Sequence, residues 1–219
     1  MKTVLVLAAS LLATGGASAQ KADTWSGSIG FTHLAPSVSS GDLSPPAFAH
    51  TQADVSADTQ LTGALNYSLS DNMVLSVPLG YGFKHKITGA GAIAGVGTLA
   101  TTRALPITAV LQYRLMSAQD KFRPYAGLGL TYAKFFKTEG AAALTALTNP
   151  GGPATTMSIS SELVPTVQLG AVFNLDAKWY IEASYTKTFL TTRATLSTGQ
   201  TLETKLDPNG YTLQLGYKF

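Results

Sequence analysis

Three histidines, His33, His50 and His85, and the carboxylates Asp42, Asp54 and Asp58 fall close together in a serine-rich part of a 219-residue chain. A serine activated by a histidine that a carboxylate orients is the constellation of a hydrolase. Cleavage of lipid esters is the reaction these residue types would perform. A His/Asp metal site is the second chemistry open to them. Little else reinforces either. The chain has no cysteine, no Walker loop and no HExxH run, and the glycines between 89 and 97 are not spaced as GxGxxG. We therefore expect no enzyme and no cofactor. A second titratable set is Arg114, Arg123, Glu182 and Lys218, with Gln112, Gln168 and Gln214 at similar depth. What that set does depends on which way each side chain faces, so the strands that carry it come first.

The last nine residues show the pattern most clearly. Tyr211, Leu213, Leu215, Tyr217 and Phe219 alternate with Thr212, Gln214, Gly216 and Lys218. A strand sends successive side chains to opposite faces, so this segment has one greasy and one polar face. Aromatic residues at the ends of the greasy face, over a polar interior, mark a strand of a transmembrane barrel. Composition agrees. Charged residues make up 12% of the chain, against about 25% in soluble domains. No apolar run beyond the N-terminus reaches the ~18 residues of a helical span. The formal charge is 15 − 12 = +3, or +2 once Lys2 leaves with a leader, too little to argue for nucleic acid. Residues 1–19 read as that leader: Lys2, an apolar Val4–Leu12, and Ala17-Ser18-Ala19 for cleavage. Residues 20–219 then form one barrel domain.

Seven further strands alternate in the same way. They centre on Trp25–Ala35, Gln60–Leu69, Met73–Phe83, Leu105–Leu115, Arg123–Tyr132, Leu163–Phe173 and Trp179–Tyr185. Met73, Leu75, Val77, Leu79, Tyr81 and Phe83 are assigned to one lipid-facing side. Short turns at 70–72, 116–121 and 174–178 alternate with long connections at 36–56, 86–102, 137–158 and 190–208. This predicts an all-β, eight-stranded antiparallel transmembrane β-barrel with short periplasmic turns, four long extracellular loops and both termini periplasmic. A lipocalin-like soluble barrel is the competing fold.

Several segments resemble the OmpW family of small outer-membrane barrels. They are Asp58-Thr59-Gln60-Leu61, Phe83-Lys84-His85, Leu105-Pro106, Leu111-Gln112-Tyr113, the run Arg123 to Tyr132 with Phe135-Phe136, Lys178-Trp179 and Lys205-Leu206-Asp207-Pro208. Asn209-Gly210 and the alanine-rich loops depart from the family pattern. The resemblance implies a bacterial outer-membrane barrel that passes small hydrophobic molecules, with importers of alkanes and related compounds among its relatives. Alternatively, the barrel is a structural or surface-interaction protein that uses its loops for contact.

The strand register directs Arg114, Arg123, Glu182 and Lys218 inward near the periplasmic end, where they predict a polar plug. Ile93, Val96, Leu99, Leu144 and Leu147 in the loops, with Phe135 and Val164 in the upper lumen, predict an apolar mouth. Pro78, Pro106 and Pro165 lie inside strands, and each removes a ladder donor, marking either a weak seam in the wall or a bulge or local twist. A solute meeting the plug would therefore leave sideways through the wall. Expected partners are outer-membrane lipid and lipopolysaccharide, small hydrophobic solutes, and the barrel assembly machinery, which would read the C-terminal strand ending in Phe219.

Overall fold

The computed structural model describes residues 23–219, and the expected leader lies outside them. In chain order the elements are β1 (Thr24–Ala35), β2 (Ser39–Ser40), β3 (Thr51–Val55), β4 (Asp58–Ser68), β5 (Met73–Gly80), β6 (Phe83–Gly91), β7 (Thr98–Arg114), β8 (Phe122–Gly140), α1 (Ala142–Thr148), β9 (Met157–Ile159), β10 (Glu162–Asn174), β11 (Trp179–Thr188), β12 (Thr191–Leu196), β13 (Thr201–Lys205) and β14 (Asn209–Lys218). β5 and β6 are two segments of one barrel strand. Eight antiparallel barrel strands follow in the order β1, β4, β5/β6, β7, β8, β10, β11, β14. β14 returns to β1 with a ladder from Ser26↔Lys218 to Ala35↔Asn209, so the barrel closes. The last amide, Phe219 N–H, donates to the Trp25 carbonyl at 3.0 Å and extends that closure to the chain end.

The two faces of the wall differ as alternation requires. Leu128 is 71% exposed, Phe31 61% and Leu213 60%, all on the outer surface. Such a belt would aggregate in water and is satisfied in lipid. Aromatic pairs bound it. At the turn end Trp25 meets Tyr67 at 4.8 Å and Trp179 meets Tyr217 at 4.9 Å; at the other end Tyr185 meets Tyr211 at 5.5 Å. An arginine at Leu128 is expected to cost about 2–4 kcal/mol in a bilayer, measured by urea unfolding in vesicles. The same change at Thr108, which lines a lumen cavity, is expected to cost less. Equal costs would mean that the two faces are exchanged.

One strand departs from the predicted alternation. Tyr81 is 72% exposed, as expected, but Phe83 is buried. Gly82 lies between them at φ 98°, a conformation that side chains with a Cβ rarely adopt. This extra residue breaks the strand and reverses its facing, so Phe83, His85 and Ile87 point inward while Lys84 and Lys86 point out.

The long connections are largely structured. β7 and β8 continue well past the 9–11 residues that cross a bilayer. β3 pairs with the upper end of β6, and β2-β13-β12-β9 form a separate four-stranded sheet above the barrel mouth. β12 and β13 make a hairpin whose turn is set by Gly199 at φ 86°. The alanine- and leucine-rich run expected to be loop forms α1, in keeping with the high helix propensity of those residues, and it buries Leu144.

Candidate functional site

The lower lumen is filled by the four inward charged residues. Arg114 and Arg123 are fully buried, and Glu182 and Lys218 nearly so. The Arg114 guanidinium lies 3.9 Å from the Glu182 carboxylate and donates to Gln112 Oε1 at 2.9 and 3.2 Å. Tyr125 OH donates to the other carboxylate oxygen of Glu182 at 2.5 Å. Lys218 Nζ donates to Asn174 Oδ1 at 2.7 Å, and the Arg123 guanidinium reaches the Asp71 carbonyl in the turn below. Gln112 Nε2 donates to Gln168 Oε1 at 2.9 Å. Charges in so small a lumen need this density of partners. The sequence reading missed the two tyrosines that complete the plug. Tyr125 lies across Gly170 and Tyr180 across Gly216, where an added Cβ would fall 2.5 and 2.0 Å from the rings. The available signal was an inward glycine directly opposite an inward tyrosine on the neighbouring strand.

Above the plug, threonine hydroxyls link neighbouring strands. Thr108, Thr131, Thr166 and Thr188 form a chain at 2.8, 2.6 and 3.1 Å, and Thr32 joins Thr62 and Thr212 at 2.8 and 2.9 Å. These hydroxyls satisfy one another, so the belt presents mainly methyl groups and little unmet polarity to the space above.

Three cavities follow one another from the cap downward, enclosing about 790, 920 and 870 Å³ with open solvent at their mouths included. The cap cavity is lined by Phe48, Ile93, Leu99, Leu144, Leu147 and Leu196, among others. It shares Ala53, Ile87, Met157, Ala194 and Leu202 with the upper-lumen cavity, which Phe135 also lines. Val164 packs with Phe135 against the Ala133, Leu190 and Leu206 cluster. The upper cavity in turn shares Leu34, Pro106, Thr188 and Pro208 with the mid-barrel cavity. Two expected residues line none of the three cavities: Val164, which packs behind the upper lumen, and Val96, which is 43% exposed on the 92–97 turn. Glycines at 95 and 97 turn that tip away from the cap interior. Leu43, Phe48, Met157, Leu196 and Leu202 were not anticipated, although Leu196 and Leu202 alternate with polar residues inside the last long connection.

The mid-barrel cavity reaches the wall. Its lining includes Pro78, Leu79, Gly80, Leu105 and Pro106, and Leu79 belongs to the outer surface. Hydrogen-bond parity explains why the β5–β7 pairing breaks beside this cavity. The Met73 carbonyl accepts from Leu69 N–H, so odd positions of β5 bond to β4 and even positions face β7. Arg114 N–H donates to the Asn72 carbonyl, so even positions of β7 face β5. The β5–β7 ladder runs from Met73↔Tyr113 to Ser76↔Val110 and stops, and pairing resumes only at Phe83↔Ala104. Continuing the register would place Pro78 opposite Thr108 and Gly80 opposite Pro106, the next two hydrogen-bonding rungs. Each contains a proline with no N–H to give. Pro165 opens no such seam. It pairs with Leu130, and its carbonyl accepts from Phe189 N–H at 3.1 Å.

The histidines are dispersed. His33 Nδ1 lies 2.8 Å from the Thr59 hydroxyl, and His50 N–H donates to Asp42 at 2.9 Å. Among the described residues no three His, Cys, Asp or Glu side chains gather as a metal site. His85 is buried in the upper-lumen wall, above the lipid belt to judge by its outward neighbours Lys84 and Lys86. Its Nδ1 is 2.6 Å from the Ser56 carbonyl, which can only accept, so Nδ1 carries the proton. Burial holds the imidazole below its ordinary pKa, against the opposing pull of the Ser56 carbonyl and Asp58. The sign follows: above about pH 6.5 His85 is neutral in folded and unfolded chains alike. As pH falls from there toward the folded pKa, the unfolded chain takes the proton first and stability is lost. Binding of an apolar fluorescent probe is expected to weaken over the same fall in pH, and His85→Leu is expected to flatten that profile.

Closed strand order, lipid-facing belt and polar lumen together define a transmembrane β-barrel of the outer-membrane class. Within that class the OmpW family profile matches residues 28–219, and the chain belongs to the OmpW family. It is similar to outer membrane protein W of Salmonella typhi, 29% identical with 99% of this chain and 98% of that protein covered. It is also similar to the dibenzothiophene metabolism operon protein PahQ of Pseudomonas aeruginosa, 25% identical over 78% of this chain and 75% of that one. The crystal structure of the outer membrane protein OprG from Pseudomonas aeruginosa superposes with a TM-score of 0.81 at 27% identity, covering 91% of this chain and 97% of that one.

Proposed function

We propose that this barrel is an outer-membrane channel for small hydrophobic molecules, with the cap facing the outside and both termini in the periplasm. Solutes enter through the apolar cap, descend through the upper lumen and leave sideways through the β5–β7 seam into the membrane. The observation that supports this reading is the sequence of shared-wall cavities, the lowest floored by Gln168, Glu182 and Gln214 and bordered at its side by the unpaired stretch at Pro78 and Pro106. Ligand sites of this type are apolar concavities with few polar groups. The relative named for a dibenzothiophene operon supports an apolar, ring-containing solute class. Outer-membrane lipid and lipopolysaccharide surround the wall. The barrel assembly machinery would engage the C-terminal strand, where the terminal amide of Phe219 completes closure.

The alternative, a surface-interaction barrel, draws on Phe48, 84% exposed at the cap tip. Uptake separates the two. Cells lacking the gene and complemented with it are expected to take up a panel of apolar solutes faster than uncomplemented cells. Leu144→Asp, which puts a charge at the buried end of α1, is expected to reduce that uptake several-fold, while Val96→Asp on the exposed turn leaves it near normal. No acceleration over uncomplemented cells, with the barrel folded and inserted, would leave the surface-interaction reading.

A further inference from the structure

Above the lipid belt, the outer wall over the seam is positively charged. Lys84 on β6 sits directly opposite Arg103 on β7, and Lys134 on β8 lies opposite Leu105, two residues further along the same face of β7. Lys86 is the next outward residue of β6. The three lysines are exposed and Arg103 half-exposed. Like charges directly across two strands repel, yet none of the four makes an ion pair among the described residues. The nearby Asp58 carboxylate accepts from the Lys84 backbone N–H at 2.6 Å and from Gln60 Nε2 at 2.7 Å on one oxygen; it stays a negative charge but forms no ion pair with any of the four. The Arg103 guanidinium stacks over the Tyr81 ring at 5.3 Å, which fixes its plane at the upper edge of the belt. The far side of the barrel differs. There Lys187 Nζ is taken up by the Asp207 carbonyl at 2.6 Å and by Asn209 Oδ1 at 3.2 Å, and the neighbouring outward residues Tyr185 and Tyr211 are neutral. Three strands thus hold repelling cations, none of them in an ion pair among the described residues, immediately above exposed apolar wall at Leu79 and Ile107.

We propose that this face docks a phosphorylated glycolipid of the surrounding leaflet. Its phosphates lie between Lys84, Arg103 and Lys134, and its acyl chains lie down the wall beside the seam. A soluble anion would meet the charges but leave the apolar surface beneath them unused, whereas a lipid satisfies both. The inference rests on the transmembrane reading but not on transport.

The test uses the full barrel in phosphatidylcholine nanodiscs doped with bis-phosphorylated lipid A or with the same lipid stripped of phosphate, and native mass spectrometry counts retained copies. Preferential retention of the phosphorylated lipid is expected. Each cation neutralised by Lys84→Gln, Arg103→Gln or Lys134→Gln is expected to weaken it about fivefold, the equivalent of ~1 kcal/mol per basic residue near a charged membrane surface. Lys205→Gln, on the cap sheet, is expected to leave retention unchanged. Equal retention of both lipids, an undiminished triple variant, or inorganic phosphate alone binding as tightly as the lipid would each overturn the proposal. Heat-modifiable migration of each variant checks folding. Lipid retention is read without any solute, so it can fail while channel activity stands, and the reverse.

Discussion

Replacing Glu182 by leucine is expected to destabilise the barrel by about 3–5 kcal/mol, the cost of leaving one partner of a buried pair uncompensated. Glu182 is the one carboxylate among the described inward residues of the lower lumen, and it pairs with Arg114 at 3.9 Å. Removing it leaves the fully buried Arg114 without a carboxylate in a space that eight strands keep narrow, and takes away the acceptor of the Tyr125 hydroxyl. The double variant Glu182→Leu with Arg114→Met is expected to recover most of the loss, because a buried pair replaced by apolar side chains of similar volume is often neutral or better. Urea unfolding of wild type, both single variants and the double variant in vesicles closes the cycle. A Glu182→Leu barrel as stable as wild type would mean that water, rather than the carboxylate, compensates Arg114.

The barrel was legible because lipid imposes a stricter pattern than a soluble core. Every wall strand must be greasy on one side, so period-two alternation alone located all eight strands. The facing failed only where one residue departed from strand geometry: hydropathy does not register the positive φ of Gly82, and Phe83 was placed outside. The cap was illegible for a different reason. β12 and β13 are rich in threonine and lie outside the bilayer, so neither face carries the greasy run that marks a wall strand. The segment from 190 to 208 therefore read as connection.

The inward burial of Arg114, Arg123, Glu182 and Lys218 was legible because direction follows from register. Their aromatic partners were not, since Tyr125 and Tyr180 look like ordinary alternating residues until the glycines beneath them are paired. The mouth shows the limit of hydropathy within loops. Val96 and Leu144 are both apolar and both flanked by small residues, yet one sits on a glycine-bounded tip and the other on the buried side of a short helix. For the wall prolines, composition gave three candidates of equal weight. Which way the missing N–H points separates them, and that requires the ladder. Pro78 and Pro106 vacate the same boundary, while Pro165 sits in a wall that stays paired.

Restoring those two donors is expected to shut the exit. In a variant carrying Pro78→Val and Pro106→Val, the rungs Pro78 to Thr108 and Gly80 to Pro106 regain their amides, and β-branched side chains favour the extended conformation. The ladder that now ends at Ser76↔Val110 is expected to continue toward Phe83↔Ala104 and to cut uptake of apolar solutes to near the level of uncomplemented cells. Closure is read independently, as hydrogen-exchange protection of the new amides at 78 and 106. The plug makes the opposite comparison. An apolar solute gains nothing by passing charged groups, whereas entering lipid tails keeps roughly 25 cal/mol per Å² of its surface out of water. Arg123→Gln with Glu182→Gln keeps hydrogen-bonding groups in the lower lumen, and uptake by that variant is expected to remain intact if the barrel folds. If the sealed wall, with its new amides protected, still carries solutes at the wild-type rate while the folded plug variant loses uptake, passage runs straight down the lumen and the lateral route is wrong.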